Sequence, residues 1–133
     1  MRVVVPLLLV ALLAAACGGG GGSTTGEART AVEITLWPDG EGQGAKKTLR
    51  VACDPPSGTV PDSAAACATL ASPAGRAALD PVPPDRMCTE LYGGPAEARV
   101  VGTVAGEPVD AQLSRINGCE IERWETLSAL LPV

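Results

Sequence analysis

Alternation of apolar and polar side chains predicts four β-strands in this chain. Residues 31–37 and 47–53 place apolar residues at every second position, with polar residues between them. Residues 98–104 and 109–115 have the same period, and Ala105–Gly106 between them predicts a tight hairpin. The residues that share one face within each strand are Val32, Ile34 and Leu36; Leu49, Val51 and Cys53; Val100, Gly102 and Val104; and Val109, Ala111 and Leu113.

A helix is predicted between the second and third of these strands. Ala64–Ala71 has high helix propensity, Pro61 fits the first helical position, and Asp62 suits the positive end of the helix dipole. Pro73 ends this helix, because proline lacks the amide hydrogen that a continuing helix needs. Residues 74–86 contain further prolines and are predicted to be irregular.

The C-terminal segment predicts a second helix, because Ile121 and Trp124 lie three residues apart after Cys119. The leucines that follow fit either a continuing helix or a final strand. We expect Trp124 to cover the core, and the charged residues around it to form a solvated face. Those residues are Glu120, Glu122, Arg123 and Glu125. Together the elements predict an α+β domain, in which an antiparallel β-sheet carries one or two short helices on one face.

The N-terminal residues are typical of a protein exported across a membrane. Arg2, the apolar run Val3–Leu13 and the small residues before Cys17 predict a signal peptide over residues 1–16. The apolar run is too short to span a bilayer. Cleavage directly before Cys17 fits a lipoprotein signal, in which this cysteine carries the lipid. An ordinary signal peptidase would accept the same alanines, and the protein would then be free and extracellular.

The cysteine count favours the lipoprotein interpretation. The chain has five cysteines, and lipidation of Cys17 leaves four, an even set that can pair completely. Residues 17–30 are rich in glycine, serine and threonine, which is the composition of a flexible tether. The sequence therefore predicts a folded domain over residues 31–133, held at the outer face of a membrane only through the lipid on Cys17.

Composition argues against several classes of function. The net charge of −5 argues against binding to nucleic acid, which depends on neutralising phosphates. The chain has no histidine, which removes Ser-His-Asp and Cys-His catalysis and histidine metal sites, and it has no Cys-x-x-Cys pair. We expect no enzyme, no metal and no cofactor. Phenylalanine is also absent, so the small aliphatic core needs support from disulfides.

An ordered set of cysteines, prolines and glycines lies within residues 46–123. It consists of Thr48-Leu49, Cys53, Pro56-Ser57-Gly58-Thr59, Pro61, Ala66-Cys67-Ala68 and Leu70, then Met87-Cys88, Tyr92 and Pro95, then Gly102, Gly106, Val109, Asn117, Cys119 and Glu120. This set resembles the Streptomyces subtilisin inhibitor family, an actinobacterial family of secreted serine protease inhibitors. The chain is therefore expected to be an inhibitor that acts as a rigid pseudo-substrate.

The resemblance implies a pairing that the cysteine spacing alone leaves open. Four cysteines allow three connectivities. The resemblance implies disulfides Cys53–Cys67 and Cys88–Cys119, which need an oxidising compartment.

The resemblance also implies a reactive bond between Glu90 and Leu91. Glu90 matches the P1 residue, whose side chain enters the specificity pocket of the protease, and Leu91 matches P1′. Asn117 matches a residue whose side chain supports the loop from beneath. The remaining protease-contacting residues implied by the match are Met87, Cys88, Thr89 and Tyr92.

Two features depart from the family pattern. Family members usually carry an apolar or basic P1 residue, whereas Glu90 is acidic and disfavours an apolar pocket. Gly93-Gly94 makes the loop one residue longer and more flexible. The expected partner is an extracellular serine protease, either subtilisin-like or glutamyl-specific. The alternative is a non-inhibitory envelope binding domain, in which Glu90 is a solvated charge.

The family's members commonly form dimers through sheet faces, so a homodimer is a further expectation. Val32, Ile34 and Leu36 offer apolar surface for it, and the sequence leaves open which face of the sheet is free.

Overall fold

The computed structural model describes residues 29–133. The predicted signal peptide, the predicted lipid site at Cys17 and residues 17–28 of the predicted tether lie outside the described residues. The strands are β1 (Ala31–Trp37), β2 (Lys47–Ala52), β3 (Ser57–Gly58), β4 (Glu97–Val104) and β5 (Glu107–Leu113), and the helices are α1 (Ser63–Ala71), α2 (Pro73–Ala78) and α3 (Gly118–Thr126).

The strands form one antiparallel sheet in the order β3-β2-β1-β4-β5. Ile34 in the central strand pairs with Leu49 on one side and Val100 on the other. Ile34 and Val100 are completely buried, so the apolar face predicted from the alternation is the inner face of the sheet. Each such aliphatic side chain contributes about 1.5–3 kcal/mol through burial.

The helices lie against this inner face and complete the core. Leu70 of α1 and Trp124 of α3 are buried in the same cluster as Ile34. The α+β class, the four predicted strands, the first helix and the buried position of Trp124 are confirmed. No helix within residues 29–133 is long and apolar enough to cross a membrane.

The start of α1 and the segment after it differ from the prediction. The helix begins at Ser63 and is capped by Asp62, whose carboxylate accepts from the Ala65 amide at 2.9 Å, so Pro61 lies outside the helix. Pro73 ends α1 as predicted but also begins α2, because proline at the first helical position loses no hydrogen bond. The prediction that residues 74–86 are irregular is therefore wrong for residues 74–78.

The residues after α3 form hydrogen-bonded turns rather than a longer helix or a strand. The Leu130 amide donates to the Leu127 carbonyl at 2.8 Å, and both side chains are completely buried. The chain end thus closes the core by side-chain packing.

The structure decides which face of the sheet is free: Val32, Ile34 and Leu36 are all buried under the helices, so they do not form it. The opposite face of the sheet carries ion pairs instead, Arg50–Glu33 at 3.0 Å and Arg99–Asp110 at 2.7 Å. The hydrogen bond from Arg99 lowers the pKa of Asp110. A dimer through the inner face would require the helices to leave the sheet.

The expectation of a solvated charged face on α3 is also wrong at two of its four residues, Arg123 and Glu120. The Glu120 side chain is only 17% exposed. Arg123 is only 9% exposed; it donates to the Ala78 carbonyl at 2.9 Å and to the Glu120 carboxylate at 2.8 Å. The Arg123 side chain reaches the C-terminal end of α2, so it ties the two helices together. Glu122 and Glu125 are exposed, as expected.

Both disulfides implied by the resemblance are present. Cys53–Cys67 joins the residue after β2 to α1, and Cys88–Cys119 joins the segment before β4 to the first turn of α3.

Candidate functional site

The segment from residue 87 to residue 92 lies between α2 and β4 and projects from the domain. Its large apolar side chains are exposed, Met87 by 93%, Leu91 by 63% and Tyr92 by 68%. Thr89 and Glu90 between them are exposed as well, and the segment forms neither helix nor strand. Clustered apolar side chains in an exposed segment indicate a contact surface. We call residues 87–92 the exposed loop.

A covalent bond fixes the first part of this loop. Cys88 is bonded to Cys119, which is 5% exposed and sits at the start of α3. Because the Asn117 side chain caps α3, accepting from the Glu120 amide at 3.0 Å, the helix start that carries Cys119 is itself held in place. The disulfide therefore connects the loop to a well-supported point of the domain.

Two main-chain hydrogen bonds extend this connection. The Gly118 amide donates to the Thr89 carbonyl at 3.0 Å, and the Gly93 amide donates to the Arg115 carbonyl at 2.7 Å. The later loop residue, Gly93, pairs with the earlier partner, Arg115, so the loop runs antiparallel to residues 115–119. We call residues 115–119 the support segment. Glu90, Leu91 and Tyr92 lie between the two hydrogen bonds, at the crest of the loop.

Gly118 is needed for this close approach. A Cβ atom at this position would lie 2.0 Å from the Thr89 Oγ1 and 3.3 Å from the Thr89 Cβ. The Gly118 backbone is not in the left-handed region, so the restriction comes from space rather than from strain. The support segment and the loop thus touch through a glycine and a threonine.

We expect Gly118→Ala to push Thr89 away from the support segment and to destabilise the protein by about 1–3 kcal/mol, the usual cost of overpacking. Urea denaturation measures this loss, and hydrogen exchange at the Gly118 amide reports whether its bond to Thr89 survives. The control is Thr89→Ala combined with Gly118→Ala, which removes the Oγ1 that clashes and should restore most of the loss. An equal loss in the double variant would contradict the proposed contact.

The two glycines that follow the loop are more restricted than their sequence indicated. A Cβ atom on Gly93 would lie 2.9 Å from the Ile121 Cγ1 and 3.1 Å from the Arg115 Cβ. Gly94 has a φ of +116°, which side-chain-bearing residues rarely adopt. Gly93 is thus packed between α3 and the support segment, and its hydrogen bond to Arg115 limits the flexibility expected of this insertion.

The sequence pointed to Asn117 as the residue that supports the loop, but it did not point to Gly118 or Arg115. The described side-chain hydrogen bond of Asn117 goes to Glu120 in α3, whereas Gly118 and Arg115 hold the loop directly. Gly118 carried a signal, since a glycine beside a disulfide cysteine allows a close approach. Arg115 carried none, because a main-chain acceptor leaves no mark on the sequence.

The charge on the crest is unpaired within the described residues. Glu90 is exposed and takes part in none of the ion pairs found in residues 29–133, which involve Glu33, Asp110, Glu120 and Glu122. The same part of the chain contains no group of three or more acidic, histidine or cysteine residues arranged to hold a metal. The loop therefore presents a free carboxylate to whatever binds it.

Comparison with protein families identifies one match. The family model described as subtilisin inhibitor-like matches residues 28–117, which include the exposed loop and the whole sheet. Comparison with curated proteins gave no significant match.

Proposed function

We propose that this chain, which belongs to the subtilisin inhibitor-like family, inhibits a serine protease by presenting Glu90–Leu91 as a slowly cleaved bond. Membership of the family supports protease inhibition as the general activity. The serine protease class, the bond and the role of each loop residue are our proposal. The observation that carries it is the exposed loop, whose crest lies between two hydrogen bonds and next to a disulfide.

The loop has the form that a protease cleft binds. Met87 and Thr89 are exposed, Cys88 is half-buried, and the three residues carry no regular secondary structure of their own. Apart from the Thr89 carbonyl, which accepts from Gly118, we propose that their main chain adds as a strand to the edge of the protease cleft. Because the loop is held in place before binding, little conformational entropy is lost when the complex forms. Tight binding then needs no rearrangement of the inhibitor.

The same support explains slow turnover. The hydroxyl oxygen of the catalytic serine attacks the Glu90 carbonyl carbon and gives up its proton. The bond from this carbon to the Leu91 nitrogen then breaks, and the Leu91 amine receives that proton. In a flexible substrate this amine leaves. Here Gly93 remains bonded to the support segment two residues away, so the amine stays near the acyl-enzyme. Its high effective concentration favours attack on the ester, which restores the peptide bond and releases the serine.

The acidic side chain at the crest selects the target. An apolar specificity pocket would have to bury the Glu90 carboxylate without a partner, which costs several kcal/mol. A pocket that carries positive charge offsets this cost. We therefore propose a glutamyl-specific serine protease as the target, with only weak action on subtilisin-like and chymotrypsin-like enzymes.

The location proposed for the protein is extracellular, as is typical of the family, and both disulfides are consistent with an oxidising compartment. We further propose that Cys17 carries a lipid and that residues 17–30 tether the domain to the outer face of the membrane. The mass of the mature N-terminus tests the anchor: an unmodified Cys17, or cleavage elsewhere, would contradict it.

A panel of purified serine proteases tests the proposed function with the full chain. We expect inhibition of a glutamyl-specific enzyme to be at least about 100-fold tighter than that of subtilisin or chymotrypsin, which corresponds to about 3 kcal/mol. Intact-mass analysis should show the inhibitor largely uncut. Complete cleavage at Glu90–Leu91 without inhibition of any enzyme would contradict the proposal and favour the non-inhibitory binding domain.

A further inference from the structure

Arg115 occupies an unusual position in the support segment. Its guanidinium carbon lies 5.9 Å from the centroid of the buried Trp124 ring, near the outer limit of about 6 Å for a cation–π contact. Arg115 takes part in none of the salt bridges found within residues 29–133. Its Nε atom is buried and has no hydrogen-bond partner among the residues that the structure describes. A buried donor without a partner is unfavourable, so fold stability alone does not explain this arginine.

Besides its contact with Trp124, Arg115 touches the two glycines that follow the exposed loop. Its carbonyl accepts from the Gly93 amide at 2.7 Å. Its Cβ lies 3.1 Å from the point where a Cβ on Gly93 would be, and its Nη1 lies 3.6 Å from the same point on Gly94. Arg115 therefore contacts Gly93 through its backbone and packs against Gly93 and Gly94 through its side chain.

The two halves of the loop are held by different means. Before Glu90, a disulfide at Cys88 and a hydrogen bond at Thr89 fix the chain. After Leu91, the tie to the support segment seen in the described residues is the hydrogen bond from Gly93 to Arg115. When the reactive bond opens, the disulfide at Cys88 fixes the acyl side two residues from the cut, whereas the hydrogen bond to Arg115 fixes the amine side at Gly93, before the chain enters β4.

We propose that Arg115 is a positioning residue for the amine side of the reactive bond. With its guanidinium over the Trp124 ring, its side chain keeps Gly93–Gly94 from shifting, and the Leu91 amine remains within reach of the acyl-enzyme. This inference rests on the proposed function, which it deepens. It predicts that loss of the Arg115 side chain has little effect on the rate of association with the protease. The main effect should be that the cut bond is resealed less often and the cleaved form accumulates faster.

Arg115→Met tests the inference, because methionine keeps the apolar stem and removes both the charge and the unpaired donor. We expect the association rate constant with a glutamyl-specific protease to stay within about threefold of the parent, since the crest residues are unchanged. We expect the cleaved form to accumulate at least about tenfold faster, because the effective concentration of the amine falls. Arg115→Lys keeps the charge and should restore part of the resistance to cleavage.

Hydrogen exchange gives a second measurement that needs no protease. In Arg115→Met the Gly93 amide should exchange at least about tenfold faster, while the Gly118 amide keeps its protection. If the parent inhibits no protease, the proposed function is overturned. The exchange rate of the Gly93 amide then shows by itself whether the Arg115 side chain holds Gly93 in place. Unchanged exchange at Gly93, or unchanged resistance to cleavage in an inhibitory parent, would overturn the positioning role.

Discussion

Replacing Cys88 and Cys119 together by serine should convert the protein from an inhibitor into a substrate. The disulfide is the covalent part of the support for the exposed loop, and the Thr89–Gly118 hydrogen bond next to it depends on the same approach of the two segments. Without the disulfide, binding must order the loop, at about 0.5–1.5 kcal/mol for each side chain immobilised. Over the exposed residues this amounts to about 3 kcal/mol, so inhibition should weaken by about 100-fold or more.

Stability also falls in this variant, and a matched control separates the two effects. Cys88 and Cys119 are 31 residues apart, and loss of the bond should cost about 4 kcal/mol of unfolding free energy in the loop-entropy account. Replacing Cys53 and Cys67, 14 residues apart, should cost about 3 kcal/mol but leave the loop support intact. Urea denaturation and inhibition assays on both variants provide the comparison. Equal loss of inhibition in the two would contradict a local role for Cys88–Cys119.

Glu90→Lys should redirect inhibition to trypsin, whose specificity pocket carries a carboxylate. In the parent, the Glu90 carboxylate is repelled by the carboxylate of that pocket, at a cost of several kcal/mol. A lysine at position 90 forms an ion pair with it instead. We expect the affinity for trypsin to rise by at least about 1,000-fold, or about 4 kcal/mol, and the affinity for a glutamyl-specific enzyme to fall by a similar factor. The loop itself needs no rearrangement, because the Glu90 side chain is exposed.

Glu107→Lys is the control for this exchange of charge. Glu107 is an exposed residue of the edge strand β5, and its replacement changes the net charge by the same amount. It should alter neither inhibition constant beyond a small effect on association rates. If both variants gained trypsin inhibition equally, or if neither did, Glu90 would not be the residue that enters the specificity pocket.

The sheet could be predicted from the sequence because one face of each strand is buried. The alternation in residues 31–37 and 47–53 matched the buried positions, since a register shift by one residue would place Ile34 in solvent. The disulfides followed from the family resemblance rather than from spacing. The family resemblance also located the exposed loop in the sequence. It did not predict which residues hold the loop in place.

The errors arose where a tertiary contact decides a residue's role. Pro73 was expected only to end a helix, but the Ser72 hydroxyl accepts from the Gly75 amide at 2.9 Å and allows a second helix to begin. Arg123 was expected in solvent, but the end of α2 supplies a carbonyl acceptor. Arg115 supports the loop through its main chain, which no side-chain pattern reveals.

The equilibrium of the Glu90–Leu91 bond tests the account most directly. The full chain is incubated with a trace of glutamyl-specific protease, starting once from the intact form and once from the form cut at this bond, and intact mass is followed. We predict that both samples reach the same mixture, with the cut form one water heavier and its fragments joined by Cys88–Cys119. Complete, irreversible cleavage from one side, with no resealing from the other, would contradict a supported inhibitory loop.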